Sequence, residues 1–131
     1  MKVEYLDDMT DGGKFKNVTS ENLIRLFDFD QIQTADLTTE IYQKLIINKA
    51  KLDLSNLAFI ELVNCKLVLQ VSSSDKGILR TEEPNTFTCD LTEETYKTAI
   101  EKMKAIDSGY NWLCDTSDDN IDFLYSSGGT W

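Results

Sequence analysis

The segment from Glu61 to Ser72 is written in strand register. Cys65, Leu67, Leu69 and Val71 fall on one face, and Lys66, Val68 and Gln70 on the other. A helix would scatter both sets around its circumference, so this segment folds as a strand. Near Thr92 the period changes. Tyr96, Ala99, Ile100 and Met103 share one helical stripe, while Lys97, Glu101 and Lys104 take the wet side. Asp90 or Thr92 can cap this helix, and Glu93 and Glu94 complement the dipole at its start. Ser108-Gly109 ends it. A chain with both periods folds as mixed α and β structure.

The other segments fit that frame. Lys2 to Leu6 alternates as a short strand, and Asp7 to Asn17 is a turn-rich loop. Glu21 to Phe29 fits a helix through Leu23, Leu26 and Phe27, or a strand through Leu23, Arg25, Phe27 and Phe29. The alternation of Phe27-Asp28-Phe29-Asp30 favours the strand. Asp30 to Asn48 is helical, with a stripe of Ile32, Leu37, Ile41, Tyr42, Leu45 and Ile46. Leu52, Leu54 and Leu57 plug the core from the connection that follows. Ile78 to Thr81 and Thr86 to Leu91 add strands, and two more close the chain, about Tyr110 to Cys114 and Asn120 to Tyr125. The expectation is one α+β domain over residues 1–131. Its mainly antiparallel sheet has about five to seven strands, with two helices packed on one face.

The 131 residues suffice for a core that folds without a metal or disulfide. The chain carries 13 basic and 23 acidic side chains, a net charge of -10. Phosphate backbones and anionic membranes repel such a surface, which excludes nucleic-acid and lipid binding as expected roles. A basic protein is the partner it attracts. Cys65, Cys89 and Cys114 are odd in number and widely spaced, as reduced thiols of a cytoplasmic protein would be. The start of the chain has no apolar signal core, and no run approaches a membrane span.

Chemistry is limited by one absence in the sequence. There is no histidine, the usual general base near neutral pH and the commonest metal ligand. Ser-His-Asp and Cys-His devices are therefore out of reach within the chain. Asp11-Gly12-Gly13-Lys14 lacks the glycine spacing of a phosphate loop. A calcium loop beginning at Asp7 would place Met9 and Val18 where oxygen ligands belong. The Asp115 to Asp122 run has no sharp-turn glycine and no downstream Glu. No catalytic residue, cofactor or metal is expected.

The last quarter combines charge with aromatic bulk. From Ala105 to Trp131 there are five Asp, five aromatics, both tryptophans, and no Lys or Arg. Along the two final strands Tyr110, Trp112 and Cys114 alternate onto one face, as do Ile121, Phe123 and Tyr125. Aromatic groups ringed by charge suit a protein interface. The candidate contact residues are Trp112, Asp115, Asp118, Asp119, Asp122 and Trp131. Three readings follow. The first is a small acidic, non-catalytic binding domain, of immunity or inhibitor type, that neutralises a basic partner. The second is a small hydrolase or sugar-binding protein using paired carboxylates. The third is a self-associating domain, a homodimer through the same apolar patch.

Overall fold

A computed structural model describes residues 1–6, 22–106, 108–114, 119 and 121–130. In chain order the elements are β1 (Lys2–Leu6), β2 (Leu23–Phe27), α1 (Gln31–Ile41), a π-helical segment (Tyr42–Ile47) and β3 (Leu52–Asp53). A 3-10 turn (Leu54–Asn56), β4 (Glu61–Leu62), β5 (Lys66–Val71), β6 (Gly77–Arg80) and β7 (Thr86–Leu91) follow. The chain then forms α2 (Glu93–Lys104), β8 (Tyr110–Cys114) and β9 (Asp122–Ser126). Among the described residues the class is α+β: two helices and nine strands, with the helices against strands.

The strands divide between two mixed sheets instead of gathering in one. The first has the order β4-β1-β2-β9-β8 and the second β3-β5-β7-β6. Each contains two antiparallel pairs joined by a parallel seam, and in the first sheet β4 also pairs parallel with β1 at the edge. In the first sheet β1 pairs antiparallel with β2, and β8 with β9; the seam is β2 beside β9. In the second, β3 pairs antiparallel with β5, and β6 with β7; the seam is β5 beside β7. Antiparallel neighbours need only a turn between them, whereas each parallel pair needs a longer crossover. The β2–β9 seam joins strands from opposite ends of the chain.

Central position explains β2, where Leu23, Ile24, Arg25 and Leu26 are all buried. A strand covered on both faces reads as a nearly unbroken apolar run, hence its ambiguous period. One main core collects Val3, Ile24, Phe123 and Tyr125 from the first sheet and Leu67, Leu69, Phe87 and Cys89 from the second. Both helices contribute to it, through Leu37 and Ile41 of α1 and Tyr96, Ile100 and Met103 of α2. Lys49, past the π segment, bonds Glu93 at the start of α2, and Gln31 lines a groove with Lys104. The helices therefore run antiparallel.

Both helix starts are capped by the residues the chain supplies there. Asp30 accepts from the Gln33 amide, and the Gln33 side chain accepts from the Asp30 amide, a reciprocal capping box. Thr92 accepts from the Thr95 amide at the start of α2. Asp75 adds a second tie there, accepting from the Thr92 amide at 2.7 Å and the Thr95 hydroxyl at 2.7 Å. The Thr92 amide bond, the larger cause, holds the Asp75 carboxyl below the usual carboxylate range. A lowered folded value means the stabilisation is present above about pH 4 and is lost as pH falls through the folded value. Asp75 is mostly solvent-exposed, so Asp75→Asn should cost no more than about 1 kcal/mol at neutral pH. Unfolding of wild type and variant compared from neutral to acid pH should show that difference shrinking below about pH 4.

The exposed side of α1 differs from the expected stripe. Thr34, Leu37, Thr38 and Ile41 are its buried residues, whereas Ile32 and Tyr42 face solvent. Thr34 earns its inward position by bonding the Tyr125 hydroxyl at 2.6 Å, beside the Phe29 ring stacked on Tyr125 at 4.1 Å. Thr38 returns its hydroxyl to the Thr34 carbonyl at 2.9 Å. The wider π turn then sends Leu45 and Ile46 inward together and leaves Ile47 outside.

Candidate functional site

Of the aromatics at the end of the chain, Phe123 and Tyr125 join the main core, while Trp112 lies on the face of the first sheet that turns away from it. Cross-strand pairs are Trp112 with Leu124 and Cys114 with Phe123, so β8 carries one extra residue there. That bulge breaks the expected grouping of Tyr110, Trp112 and Cys114. Leu113 and Cys114 both reach the main core, while Trp112 packs against a separate cluster of Leu6, Leu23 and Leu124. Strand alternation puts Asp122 on that outer face with Leu124. Tyr110 is exposed at the sheet edge, edge-on to the Trp112 ring at 6.3 Å.

Arg25 lies on the same outer face and is buried. It donates to Glu4 Oε1 from Nε at 3.0 Å and from Nη2 at 2.6 Å. Nη1 donates to the Gly129 carbonyl, and the guanidinium lies 3.9 Å from the Phe27 ring centre. The tail is thereby folded back across β2. Gly129 has φ +82, and a Cβ there would sit 2.7 Å from Arg25 Nη1, so glycine suits this approach on both counts. The Ser126 hydroxyl donates to the Thr130 carbonyl at 2.7 Å and holds the same turn.

Asp119 is spent differently from the other candidates. Its carboxylate accepts from the Arg80 backbone amide at 2.7 Å, on the edge strand β6, and its carbonyl accepts from Arg80 Nη1 at 3.2 Å. Arg80 Nη2 reaches the Tyr5 hydroxyl at 3.1 Å. The connection between β8 and β9 is thus clasped to the second sheet. Two other strands have side chains at their edges. Asn64 accepts from the Tyr5 amide and donates to the Tyr5 carbonyl, both at 2.8 Å, and so extends the short β4 pairing. The Lys102 ammonium covers the Trp112 carbonyl at 3.0 Å. Side chains that occupy edge groups obstruct the addition of a foreign strand. Asp119→Ala should lower stability by about 1 kcal/mol, and Asp119→Asn, which keeps an acceptor, by less. Equal losses in urea unfolding would contradict the clasp.

Of the six candidates, then, Trp112 and Asp122 share the outer face, and Asp119 is turned to β6. Asp115, Asp118 and Trp131 lie outside the described residues. Cys65 and Cys89 offer no ready nucleophile. Burial, with Glu4 adding to it, pushes Cys65 up to about 12, and burial also raises Cys89. Among the described residues no three Cys, Asp or Glu side chains are placed to hold a metal. No helix among them is long and apolar enough to cross a membrane.

Three surface depressions bear on ligand binding. One of about 390 Å³ separates the start of α1 from the end of α2. Another, of about 350 Å³, is walled by Tyr5, Arg80, Glu82, Glu83 and Phe87. A third, of about 290 Å³, lies over Cys65 beside Pro84 and Asn85. Trp112 lines none of these, so none joins a described tryptophan to paired carboxylates. A feature the sequence pattern hid is the outward side of α1 and the π segment, where Ile32, Tyr42 and Ile47 are exposed beside Asp36. No protein-family model matches the chain, and no curated protein is similar to it.

Proposed function

We propose that this chain is a non-catalytic binding domain of inhibitor or immunity type, whose partner is a protein with a basic surface. The observation that carries this reading is the net charge of -10, with many of the carboxylates at the surface. Ion pairs engage Glu4, Asp28 and Glu93. Asp36, Glu61, Glu82, Glu83, Glu94 and Glu101 stand exposed around the described surface. Such a field accelerates encounter with a basic active site and disfavours wrong partners. The same charge opposes self-association. The missing histidine fits binding better than acid-base chemistry. Buried thiols with raised values suit a reducing, cytoplasmic setting.

The test is affinity capture from the source cells across rising salt. Wild type is compared with a variant carrying Asp115, Asp118, Asp119 and Asp122 changed to Asn. A basic partner should be retained at low salt and released as salt rises, earlier from the variant. A partner set indifferent to both salt and neutralisation would sink the proposal.

A further inference from the structure

The geometry points to the outward face of α1 and the π segment as the docking surface for a basic protein that presents apolar side chains among its Lys and Arg. This rests on the acidic-binder reading and assigns it a place. Ile32 is 73% exposed, Ile47 53% and Tyr42 45%, three large apolar side chains on one continuous helical stretch. A single exposed apolar side chain is ordinary, but three along about 20 Å of one element form a row of anchors.

The charge around the row selects the occupant. Residues 28–48 contain four acids, Asp28, Asp30, Asp36 and Glu40, against one base, Lys44. Asp28 is paired with Lys2, which leaves a local balance of -2. Asp36 stands exposed one turn beyond Ile32, and Glu40, half-buried, one turn further. A basic surface satisfies both features: its Lys or Arg groups meet Asp36 and Glu40 while its apolar groups cover Ile32 and Tyr42. A second copy of this chain would bring an equal negative charge to the contact. Beside Ile32, the groove of about 390 Å³ between the helices, lined by Gln31, Thr34, Ala35, Lys104, Ala105 and Ile106, is large enough for one aromatic side chain of the partner. The π segment belongs to the same surface. It places Leu45 and Ile46 inside and Ile47 outside, and such segments recur at functional positions.

The test uses a synthetic amphipathic helical peptide of leucine and lysine, titrated at low salt into isotopically labelled full-length protein and followed by amide shifts. An all-lysine peptide of the same charge is the control. Amides of residues 32–47 should move with the leucine-lysine peptide. The triple change Ile32→Ser, Tyr42→Ser, Ile47→Ser should weaken that binding about tenfold, and Asp36→Asn with Glu40→Gln should reduce its salt dependence. All three apolar positions are exposed, so the triple variant should unfold at the wild-type temperature. Shifts confined to other surfaces overturn the assigned face and leave the acidic-binder reading standing. No binding by either peptide at low salt overturns both. Equal shifts of the same amides by all-lysine peptide, unaffected by the triple change, overturn the anchoring role. Self-association of the free protein that the triple change abolishes shows a second copy on this face and overturns the proposal.

Discussion

Replacing Arg25 by Met while Glu4 remains should lower stability by about 3–5 kcal/mol, enough to unfold much of a marginal population. The side chains of Arg25 and Glu4 are 11% and 17% exposed, so their pair is largely withdrawn from water. Removing the guanidinium leaves the Glu4 carboxylate without the two donors that now reach Oε1. It also deprives the Gly129 carbonyl of its donor. The cost is mainly that of an uncompensated buried charge, not the worth of a pair attraction. The double change Arg25→Met with Glu4→Met should therefore recover most of the loss, because apolar side chains of similar reach fill the same space. A double-mutant cycle in urea reads both effects. Near-additive losses would mean that Glu4 and Arg25 do not act as a unit. Faster amide exchange over residues 126–130 in Arg25→Met would further show that the guanidinium holds the tail to β2.

That pairing illustrates what was legible beforehand and what was not. Arg25 falls in the middle of an apolar run, and the run's strand character can be argued from its alternation with Phe27 and Phe29. Nothing local announces that Glu4 lies across from Arg25, since that follows from the β1–β2 register. The same division recurs through the fold. Segments governed by their own period or cap, such as β8 and the start of α2 at Thr92, were readable to within a residue or so, whereas the strand expected over Glu61 to Ser72 divides into β4 and β5. The two parallel seams were hidden because they join segments with other elements between them. One antiparallel sheet was therefore expected where two mixed sheets form. The bulge in β8 parted Cys114 from the face of Trp112, because a single extra residue resets alternation and leaves no mark in the sequence pattern.

The first helix failed by a different route. An apolar stripe through Ile32 and Tyr42 leaves out Thr34 and Thr38. Both are buried because their hydroxyls find partners at Tyr125 and on the helix's own carbonyls. Hydrophobicity alone does not anticipate a buried threonine whose bond lies far along the chain. The displaced apolar residues are now the exposed ones, so the misread stripe and the proposed docking face have a common origin. The acidic end of the chain was legible as charge but not as use. Asp119 clasps β6, and that contact depends on how the two sheets meet.

Tyr96 carries the second large effect. It is 2% exposed and stands on the buried face of α2. Its hydroxyl accepts from the Gln70 amide at 3.1 Å and faces the carbonyls of Cys89 at 2.5 Å and Gln70 at 3.0 Å. Those groups belong to β5 and β7, the two strands of the second parallel seam, so one hydroxyl ties a helix to both. Burial pushes the phenol well above its ordinary value, so it stays protonated and remains a donor at any physiological pH. Tyr96→Phe should cost about 2 kcal/mol, because the ring stays while the buried Gln70 amide and Cys89 carbonyl lose a partner. Tyr96→Ala should cost about 4–5 kcal/mol, the excess coming from the cavity that remains beneath α2. Urea unfolding gives both values, and amide exchange at Gln70 separates their causes. Exchange there should quicken in Tyr96→Phe even where global stability is matched by added osmolyte. A phenylalanine variant within about 0.5 kcal/mol of wild type, with unchanged Gln70 exchange, would mean the seam is held by backbone pairing and packing alone.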